Sequence, residues 1–320
     1  MSHLTVEQRY TIAQMLGQNF TQTQIAAVIG KDKSVVCREI KRNCDQRNGR
    51  YNSQLAQRKY DSRLRHKPKK VYFTEQVRLY VEQRLAAKFS PEQIVGVCKE
   101  LGTPCVSAER IYQHVWSDKK RKGTLYLHLR NQGKRYRKRG HQKDSRGILR
   151  DRVSIELRPA VVAEKSRFGD LEIDTVIGKN HQGAILTIND RATGLLRMRK
   201  VARKEAQLVK EAAIELLAEF KPYLHTMTAD NGKEFALHQQ ISQALEVDFY
   251  FAHPYHSWER GANENLNGLI RQYVPKSSAL ENLTEEHILF IQEELNNRPR
   301  KRFNYKTPNQ MFHQKVAFVT

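Results

Sequence analysis

Residues 5–42 alternate apolar and polar side chains at helical spacing, in short segments separated by turns. Thr5 and Thr21 each begin a Thr-x-x-Gln capping pattern followed by apolar residues, which predicts the starts of two helices. A third helix is predicted over residues 34–42, where Val36 and Ile40 share one face. The pattern therefore indicates three short helices, the last two of them joined by a tight turn.

The predicted third helix has a basic face opposite Val36 and Ile40, formed by Arg38, Lys41 and Arg42. A short helix, a tight turn and a basic amphipathic helix form the arrangement with which helix-turn-helix proteins place arginine side chains against base edges in the major groove of DNA. These three basic residues are therefore candidate DNA contacts. The alternative is a three-helix bundle whose basic face is only solvated.

A second helix-turn-helix is suggested further along the chain. Ser90 and Pro91 begin a Ser-Pro-x-Gln pattern, in which a serine N-cap precedes a proline at the first helical position. After a break at residues 102–104, a second amphipathic helix is predicted over residues 108–116. Tyr112 on this helix is a candidate DNA contact. A helix that only packs against its neighbours explains the same pattern nearly as well.

From residue 171 the helical spacing gives way to short runs typical of β-strands. They predict three strands joined as a meander, then two further strands that each follow a helix. The predicted strands are residues 171–177, 184–188, 195–201, 224–229 and 247–251, and the helices are residues 205–220 and 235–245. This is the element order of an α/β ribonuclease-H-like domain. The expected fold class is a five-stranded mixed sheet flanked by helices, preceded by all-α helix-turn-helix modules.

These patterns divide the chain into two helix-turn-helix domains, two basic linkers and one α/β domain. The second linker has dense basic runs interleaved with glycine, which would lie along a DNA duplex or remain solvated. The predicted boundaries are residues 1–50 and 71–118 for the helix-turn-helix domains, 51–70 and 119–160 for the linkers, and 161–315 for the ribonuclease-H-like domain.

The charge of the chain is unevenly distributed. Its 320 residues have a formal net charge of +22 and are 39% hydrophobic, so the chain is folded and basic rather than disordered. Residues 1–150 carry a net charge of +21, and residues 151–320 carry +1. A near-neutral domain beside strongly basic modules is typical of a protein that binds a polyanion such as DNA.

The sequence also argues against a membrane-spanning protein and against a zinc site built on paired cysteines. The apolar stretches fall far short of the roughly 20 residues that a spanning helix needs, and no N-terminal signal region is present. The cysteines have no Cys-x-x-Cys spacing, so we expect reduced thiols of a cytosolic protein. They are Cys37, Cys44, Cys98 and Cys105.

Three acidic residues, Asp174, Asp230 and Glu264 (the acidic triad), lie where the predicted elements would bring them together. Asp174 is within the first strand, Asp230 directly follows the fourth, and Glu264 is on a helix predicted over residues 259–273. We expect all three at one edge of the sheet. Carboxylate oxygens are the ligands that Mg²⁺ and Mn²⁺ prefer, and two such ions about 3.5–4 Å apart are typical of enzymes that cut phosphodiesters.

Each acid has a simpler explanation when it is taken singly. Asp230 begins an Asp-Asn-Gly turn, and Asp174 would also fit as a buried strand acid that accepts a backbone hydrogen bond. The combination is harder to explain in that way. Glu264, Asn267 and Arg271 share one helix face and offer a metal ligand, an amide and a phosphate contact together.

Other acids compete for the same role. Glu172 is the strongest rival, because strand alternation puts it on the same face as Asp174. Asp170 and Glu234 are also near in sequence, but Asp170 lies at the start of the predicted strand.

Several residues beside the acidic triad are candidate contacts for DNA. Lys233 and Arg271 are candidate phosphate contacts. Trp258 would stack on an unpaired base, although burial explains it equally well. His253 and His256 precede the acidic helix and are candidate substrate contacts.

Whole segments of the chain resemble the insertion-sequence-thirty family of bacterial DDE transposases, within the ribonuclease-H-like transposase and integrase superfamily. The resemblance runs from the first predicted helix-turn-helix to the end of the α/β domain and covers most of the chain. The matching segments are Ser154-Ile155-Glu156 with Arg158-Pro159, Ser166-Arg167-Phe168-Gly169, Asp230-Asn231-Gly232-Lys233-Glu234-Phe235, His253-Pro254-Tyr255 through Tyr273, Leu295-Asn296-Asn297-Arg298-Pro299-Arg300 and Tyr305-Lys306-Thr307-Pro308.

The resemblance implies that the acidic triad is catalytic and binds two Mg²⁺ or Mn²⁺ ions. It also implies that the partners are double-stranded DNA, at the element's terminal inverted repeats and at the target, and a homo-oligomer that is at least a dimer when it holds two ends. The implied location is the bacterial cytoplasm, in association with the nucleoid.

Two departures from the family pattern lie beside the acids. Where the family usually has Trp-Glu-Gly-Asp, this chain has Leu171-Glu172-Ile173-Asp174, and Ala262 and Leu266 stand where threonine is common. These changes affect local packing and substrate contact, whereas the acids themselves are kept.

The residues and the resemblance together predict a transposase. It would hydrolyse the phosphodiester at an element end and join the freed 3′ hydroxyl to another strand, each time by in-line attack of an oxygen on phosphorus. The alternatives are a sequence-specific DNA-binding regulator without catalysis and a structure-specific nuclease.

Overall fold

A computed structural model describes the chain except for residues 1–2, 68–71, 133–148, 150, 255, 257–258, 260, 277 and 317–320. The chain divides into two compact units, Met1–Val71 and Tyr72–Thr320. In the described part of the chain, every helix is too short or too polar to cross a lipid bilayer. Most of the glycine-interleaved basic run predicted within residues 119–150 lies outside the described residues.

The first unit contains four helices among its described residues. Each begins at a polar side chain that accepts a hydrogen bond from a backbone N–H of the first turn. The predicted capping boxes at Thr5 and Thr21 are both confirmed. The helices are α1 (Val6–Gly17), α2 (Gln22–Val28), α3 (Lys33–Asn43) and α4 (Ser53–His66).

The core of this unit takes one fully buried apolar residue from each helix: Ile12, Ile25, Val36 and Ala56. Residues 51–70 were predicted to be a linker. Most of that segment is instead α4, which contributes Ala56 to the core. The sequence signal was weak because Ala56 is the one buried residue of a mostly polar helix.

Arg9 is a buried charge at the centre of this unit, with 2% of its surface exposed. Its Nε donates to Glu39 Oε1 of α3 at 2.9 Å, and its Nη1 donates to Gln57 Oε1 of α4 and to the Leu4 carbonyl, each at 2.8 Å. One side chain of α1 therefore joins α3 and α4.

The second unit begins with three helices, α5 (Glu75–Ala86), α6 (Pro91–Glu100) and α7 (Ala108–Lys120). The predicted capping box at Ser90 is confirmed, with Pro91 in the first turn of α6. Ser107 caps α7, which is longer than predicted. The shared core consists mainly of Val81, Leu85, Ile94, Ile111 and Val115.

The rest of the second unit is built on a five-stranded sheet with the order β3-β2-β1-β4-β5. The first three strands pair antiparallel, and β4 and β5 run parallel to β1. The strands are β1 (Asp170–Ile177), β2 (Ala184–Asp190), β3 (Leu196–Val201), β4 (Thr226–Ala229) and β5 (Asp248–Phe251). The helices are α8 (Val161–Glu164), α9 (Ala206–Leu217), α10 (His238–Leu245), α11 (Gly261–Ile270), α12 (Glu285–Asn296) and α13 (Pro308–Val316).

This topology is the ribonuclease-H-like arrangement, and the predicted fold class is confirmed. An antiparallel meander needs only short turns, whereas the parallel strands β4 and β5 each follow a crossover that includes a helix, α9 or α10. This difference explains why the sequence has three strand-like runs separated by short turns, followed by two strands that are each preceded by a helical pattern.

The two faces of the sheet differ in polarity. One face is apolar and packs against α9 and α10. The other face packs against α11 and α12 on its β1–β3 side, through Val176, Ile185, Leu196 and Met198. Where β1 meets β4, that second face has a polar strip, which consists of Asp170, Glu172, Asp174, Thr226 and Thr228.

The exposed edge of β3 is closed by side chains of α12. Gln292 Oε1 accepts from the Met198 N–H at 2.8 Å, and Asn296 Oδ1 accepts from the Leu196 N–H at 2.9 Å. Both amide side chains are buried. This capping satisfies backbone groups that would otherwise be available to another strand.

The helical part of the second unit contacts the sheet part through close approaches at two glycines. A Cβ on Gly96 of α6 would lie 2.2 Å from the Tyr305 ring, and a Cβ on Gly268 of α11 would lie 2.0 Å from an Arg130 nitrogen. Arg130 Nη1 donates to Asn265 Oδ1 at 2.6 Å. Only a residue without a side chain allows these contacts.

We expect Arg9→Met to destabilise the first unit by about 3 kcal/mol. The substitution removes the cation of a buried ion pair and leaves the Glu39 carboxylate without its partner. Amide hydrogen exchange should then accelerate over residues 3–67 and stay unchanged over residues 72–132. Arg58→Met removes an exposed arginine of α4 and serves as the control. Equal protection in the two variants would contradict the proposed role of Arg9.

Candidate active site at the ends of strands β1 and β4

Asp174 lies towards the carboxyl end of β1, on the polar strip, and is half-buried. Its Oδ1 accepts from the Thr175 N–H at 2.8 Å, and its Oδ2 accepts from Asn267 Nδ2 of α11 at 2.9 Å. The Oδ1 of Asn267 is itself buried and has no hydrogen-bond partner among the described residues. The carboxylate of Asp174 is therefore held in a fixed orientation.

Asp230 directly follows β4, in the predicted Asp-Asn-Gly turn. Its Oδ1 accepts from the Gly232 N–H at 2.9 Å, which closes an Asx turn. Asn231 Nδ2 donates to the Ala252 carbonyl at 2.7 Å and so ties this turn to the chain after β5. A Cβ on Gly232 would lie 2.2 Å from Glu234 Oε2. Each residue of the motif thus has a separate structural task.

Strand pairing relates the positions of Asp174 and Asp230 in the sheet. In the parallel pair of β1 and β4, Glu172 lies opposite Thr228. Continuing this register by two residues brings Asp174 opposite Asp230. Parallel strands present their carboxyl ends at one edge of a sheet, where ligands of α/β proteins commonly bind.

Glu264 lies near the start of α11 and is exposed. One turn later on the same helix face, Asn267 contacts Asp174. Just beyond the end of the helix, Arg271 Nη2 donates to the Ile177 carbonyl at the end of β1, at 2.7 Å. The helix that carries Glu264 is therefore fastened to β1 at two positions.

The carboxylates of the acidic triad do not close on one point. Three histidine, cysteine, aspartate or glutamate side chains could hold a metal ion together if their ligand atoms all lie within 4.8 Å of one another. Among the described residues, His253, His256 and Glu259 meet this condition. The acidic triad does not form such a group. Because Glu264 is exposed, its side chain can change rotamer without displacing packed neighbours.

The rival acids on β1 are committed to ion pairs. Glu172 has 1% of its surface exposed and pairs with the buried Arg191. Asp170 is completely buried and accepts from Arg167 Nε at 2.9 Å. Buried carboxylates require such partners. Both acids therefore hold the fold together rather than facing the sheet edge.

Glu234, the remaining rival, lies on the other side of the sheet. Its Oε1 accepts from Thr175 Oγ1 at 3.0 Å and pairs with Lys204 Nζ at 2.7 Å. Thr175 and Asp174 are neighbours on one strand, so their side chains point to opposite faces. Glu234 is thus separated from Asp174 by the strand itself.

The chemistry of the donors fits a hard divalent cation. The acidic triad offers carboxylate oxygens, and no histidine or cysteine is needed to complete the set, which suits Mg²⁺ or Mn²⁺. The buried Asn267 Oδ1 beside Asp174 supplies an acceptor for a cation-bound water. The residues that would hold such ions are the three carboxylates.

The predicted DNA contacts of the first unit lie on the exposed face of α3. Arg38, Lys41 and Arg42 are exposed, and Val36 on the opposite face is buried. Arg38 Nε donates to the Ser34 carbonyl one turn earlier, at 3.0 Å. Orientation and exposure agree with the prediction, and contact with DNA stays a prediction.

The other predicted DNA contacts differ in how available they are. Lys233 is exposed, and Tyr112 is half-buried. Arg271 is half-buried and donates to the backbone carbonyls of Ile177 and Val274. Because these carbonyls hold its N–H groups, its first role is to position α11. Trp258 lies outside the described residues.

His253 fastens the segment between β5 and α11. Its Nδ1 lies 2.8 Å from Glu259 Oε1, and its Nε2 lies 3.2 Å from Glu156 Oε1. The hydrogen bond with Glu259 raises the pKa of His253 above its usual range. Both glutamates lie in segments that match the family, but nothing in the local pattern relates Glu156 or Glu259 to His253. Two members of the ligand-like grouping, His253 and Glu259, are thus already joined as an ion pair.

Comparison with known proteins finds matches over the whole chain. A helix-turn-helix domain family model matches residues 1–43. The transposase for insertion sequence element IS4351 of Bacteroides fragilis is 54% identical over 99% of this chain and 99% of its own length. Transposase InsI for insertion sequence element IS30C of Escherichia coli strain K12 is 30% identical over 100% of this chain and 85% of its own length.

Among solved structures, the catalytic core domain of BIV integrase is similar to this chain. The match covers 47% of this chain and 96% of the integrase domain, with a TM-score of 0.37 and 16% sequence identity.

We expect the His253 imidazole to titrate above its ordinary pKa of 6.5 in an NMR pH titration. A raised folded-state pKa means that the ion pair contributes fully below the unfolded value and is lost as pH rises through the folded value. Glu259→Gln should move the midpoint back towards the ordinary value. An unchanged midpoint in that variant would contradict the assigned cause.

We expect Glu172→Gln and Asp174→Asn to differ in stability. Glu172→Gln leaves the Arg191 guanidinium without its buried partner and should lower the free energy of unfolding by about 3 kcal/mol. Asp174→Asn changes a half-buried edge residue and should alter it by less than about 1 kcal/mol. Denaturant unfolding of both variants measures the difference, and a reversed order would restore Glu172 as the rival metal ligand.

Proposed function

The chain belongs to the insertion-sequence-thirty (IS30) family of transposases, and from this membership we propose that it cuts the phosphodiester at the end of an insertion sequence and joins the freed 3′ hydroxyl to another DNA strand. The observation that carries the proposal is the parallel pairing of β1 with β4, in which Glu172 lies opposite Thr228, two residues before Asp174 and Asp230 respectively. Helix α11, which carries Glu264, is fastened over the same edge.

In this proposal Asp174, Asp230 and Glu264 are the catalytic residues, and together they hold two Mg²⁺ or Mn²⁺ ions. Such ions, when bound, supply the charge that activates the attacking oxygen and stabilises the leaving oxygen of an in-line displacement.

The surrounding residues position these carboxylates. Asn267 and the Thr175 N–H fix both oxygens of Asp174, and the Gly232 N–H fixes Asp230. Arg271 holds the end of α11 against β1, and thereby sets the distance between Glu264 and the strands. Prior fixation of this kind lets the protein contribute position and electrostatics without forming a covalent intermediate.

The proposed partner is double-stranded DNA, at the ends of the element and at the target. Arg38, Lys41 and Arg42 on α3 would contact the major groove, and their exposure supports this role. Lys233 beside Asp230 would contact phosphate, and Trp258 would stack on an unpaired base. Holding two ends at once requires a homo-oligomer, at least a dimer.

We expect Asp174→Asn, Asp230→Asn and Glu264→Gln each to abolish Mg²⁺-dependent nicking of end DNA, while DNA binding in EDTA changes by less than about threefold, because the basic modules supply most of the binding. The measurements are a nicking and strand-joining assay on labelled end DNA and a separate binding titration. Asp248→Asn removes an exposed acid from β5 of the same sheet and is the matched control.

The rival functions give different outcomes in the same assays. Nicking without joining of a 3′ end to a second DNA would indicate a structure-specific nuclease. Sequence-specific binding with no Mg²⁺-dependent change in the DNA, and indifference to all three substitutions, would indicate a regulator. Retained nicking in all three variants would overturn the assignment of the acidic triad.

A further inference from the structure

A cavity of 670 Å³ lies within the second unit, between its helical part and its sheet part. One wall is formed by the start of α6, by α7 and by residues 129–132. The other wall is formed by the first half of α11 and by residues 298–305. The volume is within the range of about 300–1,000 Å³ typical of ligand sites.

The lining of this cavity is strongly cationic, and we call it the cationic cavity. It contains seven lysine or arginine residues and a single carboxylate, Glu92. The cations are Lys88, Arg130, Lys165, Arg298, Arg300, Lys301 and Arg302.

The four arginines of the cationic cavity have no carboxylate partner within 4.0 Å among the described residues, whereas Lys301 pairs with Glu92 at 3.5 Å. Arg298 has 1% of its surface exposed, and its Nε is buried without a hydrogen-bond partner in the described part of the chain. Its other nitrogens donate to Gln272 Oε1 and Tyr273 Oη, both at 2.7 Å.

Such crowding of positive charge is unfavourable without an anion. Burial, and then repulsion from Arg298 and Arg302, lower the pKa of the Arg300 guanidinium below its ordinary value. An uncompensated buried charge is among the costliest features of a fold. A phosphate group in the cavity would neutralise these residues and form charge-assisted hydrogen bonds with their N–H groups.

Two further features indicate a nucleic-acid strand rather than a free anion. Tyr112, Trp116 and Tyr305 line the same cavity and present aromatic rings on which a base can stack. The cavity also reaches Ala262 and Asn265 of α11, which flank Glu264 along the helix. A strand that passes the acidic triad therefore has a neighbouring site of the opposite charge.

We propose that the cationic cavity binds a phosphodiester of the DNA strand that reaches Glu264, with an adjacent unpaired base against Tyr112 or Trp116. This inference rests on the proposed function for the identity of the strand. Arg302 and Lys165 are exposed residues of the cavity wall and would meet the phosphate first, and Arg298 and Arg300 would supply the charge behind them.

The test measures binding of the full chain to a labelled single strand of about ten nucleotides, in EDTA so that no DNA is cut. The double variant Arg302→Gln with Lys165→Gln should bind about tenfold more weakly at low salt, and the slope of log affinity against log salt should flatten by about 0.7 for each phosphate that is no longer neutralised. Arg302→Lys with Lys165→Arg keeps both charges and should retain most of the affinity.

The matched control is Arg199→Gln with Lys210→Gln, which removes the same charge from β3 and α9. Equal weakening in both double variants, or unchanged affinity in both, would overturn the cavity as a strand site. If inorganic pyrophosphate competed as strongly, mole for mole, as unlabelled oligonucleotide, the strand site would also be overturned. Stacking of a base on Tyr112 or Trp116 would then contribute nothing to binding. Unchanged helix content and thermal midpoint of each variant establish that the fold is retained.

A second measurement separates this inference from the proposed function. Arginine modification by phenylglyoxal, read by mass spectrometry, should slow at Arg302 when the oligonucleotide is present and stay unchanged at Arg199. Protection together with absent Mg²⁺-dependent nicking would leave the cavity standing and remove the proposed function. Nicking by the full chain without protection at Arg302 would do the reverse.

Discussion

The parallel pairing of β1 with β4 is the constraint on which the candidate site depends. It pairs Glu172 with Thr228, two residues before Asp174 and Asp230, although 55 residues separate the two aspartates in the chain. Asp174 also accepts from the Thr175 N–H and from Asn267, and Asp230 accepts from the Gly232 N–H, but none of these hydrogen bonds joins one acid to the other. A slip of one residue in this pairing would turn one of the two side chains to the apolar face.

The carboxylates of the polar strip on β1 differ in depth and in their partners. Asp170 and Glu172 are buried and pair with Arg167 and Arg191, whereas Asp174 is half-buried and accepts from Asn267 of α11. A carboxylate paired with arginine is already neutralised, so it has little charge to offer a cation. Asp170, Glu172 and Asp174 alternate along one strand and thus differ in burial and in their partners.

Helix α11 links this edge to the rest of the second unit. Asn267 and Arg271 fasten it to β1, and Asn265 receives Arg130 from the helical part. Gly268 permits that last approach, since any side chain there would overlap the guanidinium. The position of Glu264 therefore depends on contacts from both sides, and the cationic cavity lies beside it as a consequence of the same packing.

The sequence alone determined the kinds of elements and their order, since capping patterns, strand periods and turn residues are local. Thr5, Ser90 and the Asp-Asn-Gly turn after β4 act within a few residues, and their structural roles agree with the local pattern. The choice of Asp174, Asp230 and Glu264 rests on the same local patterns and stays a prediction. Helix α4 was not predicted, because its sequence is mostly polar and Ala56 is its one buried residue. Only the tertiary structure decided which acids are neutralised, that Glu234 lies behind the strand, and that arginines distant in sequence surround one cavity. Those outcomes depend on burial and on contacts between distant segments, which no local period encodes.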